Sequence, residues 1–315
     1  MTAAIAVQNV VYTVRRHFYS PPRTIVDNLT FTVAPGEICG FVGANGAGKT
    51  TTMRMLLGQV TATSGSLQLF GVPACDPKAR VGLGFLPERG ILKSPLSAHA
   101  IVRAHGLLSG MSRDQATRAA GEALERLGLG AQAHRPLKEF SKGMVQRVGL
   151  AQAIVGAPRL LILDEPLSGL DPPGRHVVRE LITDMGQRGC AVFFSTHILA
   201  DVELICDRVL VLQSGRLTHE GPPAKLVAQG PERLERTEII ALDLPQEIWT
   251  LAEKLGAECR QFGRSHRIIA NSLADANAIG RAILASGATL KLMAPFGGSP
   301  LEALLLEPQE RPPAP

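Results

Sequence analysis

One glycine-rich segment combines the residue types that bind a nucleoside polyphosphate. Residues 43–50 read Gly-Ala-Asn-Gly-Ala-Gly-Lys-Thr and match the pattern GxxxxGK[ST] in full. Glycines let successive backbone N–H groups turn inward and let phosphate oxygens approach them. Lys49 supplies a cation for the β- and γ-phosphates, and the Thr50 hydroxyl is a hard oxygen ligand for Mg²⁺. The segment therefore predicts nucleotide binding.

Two adjacent carboxylates follow an apolar run later in the chain. Residues 160–163 read Leu-Leu-Ile-Leu, and Asp164 and Glu165 come directly after them. Because open α/β sheets bind ligands at the carboxyl ends of their strands, Asp164 could hold Mg²⁺ through water. Glu165 could accept a proton from an attacking water. Strands often end in acids, so this pair is a strong signal only in combination with the phosphate-binding segment.

Four shorter features lie between and after these two anchors. Residues 140–144 read Phe-Ser-Lys-Gly-Met and open a helix that Ser141 would cap. Residues 168–171 read Ser-Gly-Leu-Asp, and His197 ends the next apolar run. Leu-Pro-Glu, ending at Glu88, precedes the helical middle of the chain. Each feature alone is most simply structural, but their order with the two anchors indicates one site.

In this order the motifs resemble the ATP-binding subunit of an ABC transporter, over about residues 5–225. The resemblance implies that residues 43–50 are the Walker A segment and that Asp164 and Glu165 are the Walker B acid and catalytic base. Residues 141–144 would be the signature and residues 168–171 the D-loop. It also implies that two ATPase domains dimerise head to tail, so that each signature closes over ATP held by the other copy.

The resemblance assigns a role to each site residue. The catalytic residues would be Glu165, His197 as the switch histidine, and Lys49. The residues that bind ATP would be Gly43, Ala44, Asn45, Gly46, Ala47, Gly48, Lys49, Thr50, Thr51 and Tyr19. The residues that contact the nucleotide of the second copy would be Ser141, Lys142, Gly143 and Asp171. The Mg²⁺ ligands would be Thr50, Asp164 and Glu88.

The sequence departs from the common family pattern in three places. The usual signature Leu-Ser-Gly-Gly-Gln reads Phe-Ser-Lys-Gly-Met, which keeps Ser141 and Gly143 but introduces Lys142. A glutamate, Glu88, stands where the family usually has a glutamine. The aromatic residue that stacks on adenine could be Tyr12, Phe18 or Tyr19, and we favour Tyr19.

The elements that must position these residues alternate between strand and helix. Apolar and β-branched runs predict strands over residues 5–14, 29–33, 37–42, 159–164, 190–195 and 207–213. Spacing of apolar residues by three and four predicts helices over 51–57, 95–108, 112–127, 142–154, 173–188 and 198–205. This alternation predicts an α/β fold. With the resemblance, it implies a P-loop NTPase core of ABC ATPase type with an N-terminal antiparallel β subdomain and an inserted helical subdomain at about 90–157.

A second, smaller domain is predicted beyond the ATPase domain of residues 5–225. Residues 235–307 show a βαβ-αβ order that suggests a small α+β accessory domain, and the proline-rich residues 308–315 predict a disordered tail. This region resembles the small C-terminal domain of some exporter-type ATPase subunits. Residues 299–307 resemble the closing segment that those subunits share.

Composition narrows the protein class. Among 315 residues, 45% are hydrophobic and 19% charged, which excludes wholesale disorder. Five cysteines without a CxxC pair, each in or near an apolar run, suggest buried thiols in a reducing cytoplasm rather than disulfides or zinc. The longest charge-free stretch, residues 55–75, is too polar to span a membrane, and the N-terminus shows no secretory signal. We therefore expect separate transmembrane permease subunits, with this chain at the cytoplasmic face of the membrane.

The function expected from these features is ATP hydrolysis that couples dimer closure to substrate translocation, with export favoured over import. The expected partners are ATP, Mg²⁺, a second copy and the permease, and no nucleic acid. One alternative is a soluble ABC-type ATPase acting on nucleic acid or ribosomes, since residues 88–160 carry eleven Lys/Arg against five Asp/Glu. Another is a regulatory module that binds ATP without hydrolysis, which the intact Lys49, Asp164, Glu165 and His197 argue against. The sequence does not identify the transported substrate.

Overall fold

The computed structural model describes residues 2–15, 19, 21–88, 94–228 and 236–295. The chain divides into two compact units, Met1–Pro223 and Ala224–Pro315. The first unit holds an antiparallel sheet, a mainly parallel sheet and three helices inserted between strands of the latter.

The first unit contains ten strands and six α-helices among its described residues. In chain order they are β1 (Ile5–Val14), β2 (Arg23–Val33), β3 (Ile38–Val42), α1 (Lys49–Leu56), β4 (Ser64–Leu69), β5 (Val72–Pro73), β6 (Leu83–Leu86), α2 (Ala98–Leu108), α3 (Arg113–Arg126), α4 (Lys142–Ile154), β7 (Leu160–Asp164), α5 (Pro172–Gln187), β8 (Ala191–Thr196), α6 (Leu199–Ile205), β9 (Arg208–Gln213) and β10 (Arg216–Gly221). The predicted α/β alternation is confirmed.

The larger sheet has the strand order β10-β9-β3-β8-β7-β6, and its five strands from β9 to β6 run parallel. Strands β3, β7 and β8 are buried over their whole length, as expected for a parallel sheet covered on both faces. In the register of β7 with β8, Asp164 lies opposite Ser195. The carboxyl ends of β7 and β8 are therefore adjacent, and β3 ends beside β8.

The antiparallel sheet has the order β2-β1-β4-β5. Three phenylalanine rings join the two sheets: Phe31 of β2 lies 5.9 Å from Phe41 of β3 and 5.6 Å from Phe193 of β8, measured between ring centroids. Strands β4 and β5 were not predicted. Residues 64–69 read Ser-Gly-Ser-Leu-Gln-Leu, a sequence of low β-propensity that forms a strand because it pairs with β1.

The inserted helices α2, α3 and α4 follow the predicted pattern closely. Helix α4 has the predicted bounds, and the capping box at the start of α3 is present, with hydrogen bonds in both directions between Ser112 and Gln115. Helix α2 begins three residues later than predicted, because the Ser97 hydroxyl accepts from the Ala100 N–H at 3.2 Å and caps the helix there.

The chain continues through α7 (Pro223–Ala228) into the second unit. Its further elements are β11 (Thr237–Leu242), α8 (Gln246–Lys254), β12 (Glu258–Phe262), β13 (Ser265–Ala270), α9 (Leu273–Ala285) and β14 (Thr289–Pro295). The sheet order β12-β13-β11-β14 is antiparallel throughout. The predicted βαβ-αβ order was therefore wrong by one strand. Strand β12 was missed because it is an edge strand whose sequence, Glu-Cys-Arg-Gln-Phe, is mostly exposed.

The structure also bears on the predicted burial of the cysteines and on the predicted lack of a membrane-spanning segment. Cys39 and Cys190 are buried as predicted, but Cys75 is exposed, so not every thiol is a core residue. Within the described residues, no helix is long and apolar enough to cross a membrane. Residues 296–307 of the predicted accessory domain and the predicted tail at 308–315 lie outside the described part of the chain.

Candidate nucleotide-binding site

The phosphate-binding segment forms the loop between the end of β3 and the start of α1. Gly46 and Gly48 adopt φ angles of +83° and +110°, which residues other than glycine rarely adopt. Gly48 is the N-cap residue of α1. The free N–H groups and the positive end of this helix dipole therefore meet any anion bound in the loop.

At position 43 a glycine is needed because there is no room for a side chain, and not because of the backbone angles. A Cβ at this position would lie 2.4 Å from the Leu212 carbonyl oxygen of β9. We expect Gly43→Ala to lower the free energy of unfolding of the first unit by about 1–3 kcal/mol, as overpacking against a backbone atom typically does. Circular dichroism during urea unfolding measures this change, while the single tryptophan, Trp249, reports separately on the second unit.

Gly121→Ala in α3 is the matched control for this prediction. A Cβ there meets no atom within 4 Å, so the substitution should stabilise the helix by about 0.5–1 kcal/mol. If the two alanine variants changed stability equally, the close approach of the loop to Leu212 would not constrain the fold.

The Lys49 side chain is buried beneath the loop. Its ammonium donates to the carbonyl oxygens of Gly43 at 2.6 Å and Ala44 at 3.2 Å. Burial lowers the pKa of Lys49, while the nearby carboxylates of Glu165 and Asp164 act in the opposite direction. The lysine is thus a poorly hydrated cation held by two loop carbonyls, and a polyanion would provide stronger partners.

The two predicted acids lie together at the end of β7 and share one serine. Asp164 and Glu165 are 3% and 8% exposed. The Ser195 hydroxyl of β8 donates to Asp164 Oδ1 at 2.5 Å and accepts from the Glu165 N–H at 2.9 Å. His197 Nδ1 lies 2.9 Å from Glu165 Oε2. The predicted base therefore contacts the predicted switch histidine directly.

One cavity of about 440 Å³ brings nine of the eighteen predicted site residues together. Its walls are Arg23, Ile25, Asn45, Gly46, Gly48, Lys49, Thr50, Thr51, Glu88, Asp164 and Glu165. A smaller adjoining cavity of about 210 Å³ also includes Thr50, Glu88 and Asp164. Hydroxyl and carboxylate oxygens thus face a common space, in a position where a hard cation could bridge the protein and a phosphate.

Other predicted residues lie outside this cavity's walls. Ser141 caps α4 by accepting from the Met144 N–H at 3.2 Å, and Asp171 caps α5 by accepting from the Gly174 N–H at 3.2 Å. Neither residue is among the described residues that line the cavity, and the same holds for Gly43, Ala44, Ala47, Lys142, Gly143 and His197. Tyr19 is 94% exposed and Phe18 lies outside the described residues, so the choice of adenine-stacking aromatic stays a prediction.

Four residues at the site were missed by the sequence analysis: Arg23, Ile25, Gln146 and Ser195. Arg23 and Ile25 enter the cavity wall from β2, and no sequence signal marks them. Ser195 comes two residues before His197, so the predicted strand end could have indicated it. Gln146 lies on α4, where its amide Nε2 donates to the Glu165 carbonyl at 3.2 Å.

Comparison with known proteins places this chain among relatives of one family. Residues 26–168 match the family model described as ABC transporter. The uncharacterized ABC transporter ATP-binding protein YxlF of Bacillus subtilis (strain 168) is 37% identical over 223 residues, which cover 71% of this chain and 72% of that protein. The Nod factor export ATP-binding protein I of Cupriavidus metallidurans (strain ATCC 43123 / DSM 2839 / NBRC 102507 / CH34) is 37% identical over 229 residues, 72% of this chain and 74% of that protein.

A solved structure shares its fold with most of this chain. The structure described as the ATP-binding subunit of an ABC transporter is 28% identical, with a TM-score of 0.64, and the match covers 72% of this chain and 92% of that chain.

Proposed function

The chain belongs to the ATP-binding proteins of ABC transporters, and on this premise we propose that it drives export of a substrate through separate membrane subunits. As a member of this family it is an ATPase that powers transport. The observation that supports the site assignment best is the single cavity that holds Lys49, Asp164 and Glu165 beside the phosphate-binding loop.

In the proposed reaction, the loop N–H groups and Lys49 bind the β- and γ-phosphates of ATP. Preorganised donors of this kind supply most of the catalysis in phosphoryl transfer. The Glu165 carboxylate accepts the proton of the attacking water, a role worth roughly 10²–10⁴-fold in rate. His197, already in contact with Glu165 Oε2, orients that carboxylate and positions the γ-phosphate.

The donor set also suits Mg²⁺. Within the described part of the chain, no three His, Cys, Asp or Glu side chains cluster as a metal cage. Mg²⁺ usually binds instead through one or two carboxylates, water and substrate phosphates. Thr50, Asp164 and Glu88 would hold the ion, since all three line one cavity, and the Ser195 hydroxyl fixes the Asp164 carboxylate by donating to its Oδ1. When bound, Mg²⁺ neutralises charge that develops on the transferred phosphoryl group.

The role of Glu88 as a Mg²⁺ ligand can be tested by replacing it with glutamine, which has a similar size but carries no charge. With Mg²⁺ present we expect Glu88→Gln to weaken ATP binding about threefold to tenfold, because a carboxylate binds a hard cation better than an amide does. With a chelator present we expect the same variant to bind ATP more tightly, because repulsion between Glu88 and the phosphates is gone. Titrations of parent and variant under both conditions measure these opposite changes.

Glu139→Gln is the matched control, since Glu139 is exposed and pairs with Arg135 away from the cavity. It should change neither affinity. If Glu88→Gln also changed neither, Glu88 would be a surface residue of its loop and not a metal ligand.

The proposal includes a second copy of the chain. Ser141, Lys142, Gly143 and Asp171 would reach ATP held by that copy, which is consistent with their position outside the cavity of their own chain. Lys142 is exposed at the start of α4, where it would add a cation to the second copy's γ-phosphate. Two composite sites would then form when the copies close.

The relative named a Nod factor export ATP-binding protein supports export rather than import. Assembly with separate membrane subunits can be tested by expressing the full chain with and without any hydrophobic proteins that are encoded beside its gene. We expect the chain to fractionate with membranes at their cytoplasmic face only in the presence of those proteins, and to hydrolyse ATP there. Fractionation with nucleic acid or ribosomes instead would support the alternative of a soluble ABC-type ATPase.

A further inference from the structure

Helix α4 carries more than the signature at its first turn. Gln146, one turn further along, is 7% exposed and points at the segment after β7. Its amide Nε2 donates to the carbonyl oxygens of Glu165 at 3.2 Å and Pro166 at 3.5 Å. The helix that begins with the signature is thus hydrogen-bonded to the backbone of the proposed base.

The backbone at Glu165 depends on such contacts. Its φ of +53° lies in the left-handed region, which is uncommon for residues other than glycine and persists where surrounding structure enforces it. The Ser195 hydroxyl of β8 holds the Glu165 N–H at 2.9 Å, and Gln146 of α4 holds the Glu165 carbonyl. The Ser168 N–H also donates to the Glu165 carbonyl, at 3.2 Å, so Gln146 is one of two donors to it. Together these contacts restrain the peptide groups on both sides of Cα, and so the direction in which the side chain leaves the backbone.

A second contact links the start of α4 to the same segment. A Cβ on Gly143 would lie 3.4 Å from Leu170 Cδ2 and 3.5 Å from the Gly169 carbonyl oxygen. The first turn of α4 therefore packs on residues 169–170, and Gln146 holds residues 165–166. A shift of α4 would be transmitted to the base by hydrogen bonding and by packing.

We propose that Gln146 is a positioning residue, through which the placement of α4 controls the placement of Glu165. The proposal rests on the proposed function, in which the start of α4 closes on ATP held by the second copy. Closure over that ATP would then fix the base that acts on this chain's own ATP. The two composite sites would consequently hydrolyse ATP with positive cooperativity.

The test uses the full chain with Gln146→Leu, which has a similar size but cannot donate a hydrogen bond. We expect kcat to fall about 10- to 100-fold, since a misplacement of about 1 Å can cost 10²-fold. The dissociation constant for ATP should stay within about twofold, because Gln146 is not in the cavity wall. The Hill coefficient for ATP in the hydrolysis assay should fall from above 1 in the parent to 1.

Gln152→Leu is the matched control, because Gln152 lies on the same helix six residues after Gln146 and is only partly buried. It should leave kcat and the Hill coefficient unchanged. Gln146→Met is a second variant, which keeps an unbranched side chain of similar length but has no N–H to donate, so it should reproduce the kcat loss if the leucine variant folds poorly.

Three results would each overturn the proposal. The first is a kcat of Gln146→Leu within twofold of that of the parent. The second is a loss of kcat accompanied by a comparable loss of ATP affinity and a lower melting temperature, and the third is a Hill coefficient that does not change, including the case in which the parent already has a value of 1. Failure of the proposed function looks different, because the parent and Gln152→Leu would then show no ATP hydrolysis that depends on Glu165.

Discussion

Replacing Lys49 with alanine should reduce ATP affinity at least about 100-fold while leaving the fold intact. Hydrogen bonds that involve a charged group contribute about 1.5–3 kcal/mol each, and 1.4 kcal/mol corresponds to a tenfold change in affinity. Lys49 is the only cationic side chain within the Gly43–Thr50 loop. Its burial under the loop means that little water competes with a bound phosphate.

The stability of the Lys49→Ala variant should be close to that of the parent. Burial lowers the pKa of Lys49, so the folded state disfavours its charged form, and removal of the charge relieves that cost. Loss of the hydrogen bonds to Gly43 and Ala44 acts in the opposite direction. A melting temperature equal to that of the parent, together with a loss of ATP binding, would therefore show that the substitution acts on the nucleotide-binding site and not on the stability of the fold.

Calorimetric titration with ATP measures this effect, and Lys254→Ala provides the control. Lys254 lies in α8 of the second unit, so its removal should leave ATP affinity unchanged. An affinity of Lys49→Ala within about threefold of the parent would falsify the phosphate-binding role of the loop.

Replacing Glu165 with glutamine should lower ATP turnover by roughly 10²–10⁴-fold without preventing ATP binding. The amide keeps the size of the carboxylate and can still hydrogen-bond to His197, which lies 2.9 Å away. It cannot accept the proton of the attacking water. ATP-bound dimers should therefore accumulate, because in the proposed cycle ATP binding closes the dimer and hydrolysis would no longer reopen it.

Phosphate release and size-exclusion chromatography with ATP measure these two consequences. Glu122→Gln, an exposed change on α3, serves as the control and should behave as the parent does. A Glu165→Gln protein that stays monomeric with ATP and turns it over normally would show that another group accepts the proton.

The sequence by itself determined the features that depend on neighbours in the chain. The loop of residues 43–50, the helix Lys142–Ile154 with its Ser141 cap, and the buried strand that ends at Asp164 were all predicted and are present. Spacing is sufficient in these cases because a phosphate-binding loop, a helix cap and an apolar strand are each formed by residues a few positions apart.

Only the tertiary structure decided which distant residues support the site. Ser195 and Gln146 hold Glu165 across 30 and 19 residues of sequence, and Arg23 reaches the cavity from a strand that precedes the loop. Strands β4 and β12 likewise form by pairing with β1 and β13, although their own residues have little preference for extended structure. Such contacts depend on how the strands are ordered and packed, and a local pattern of residue types does not predict that order.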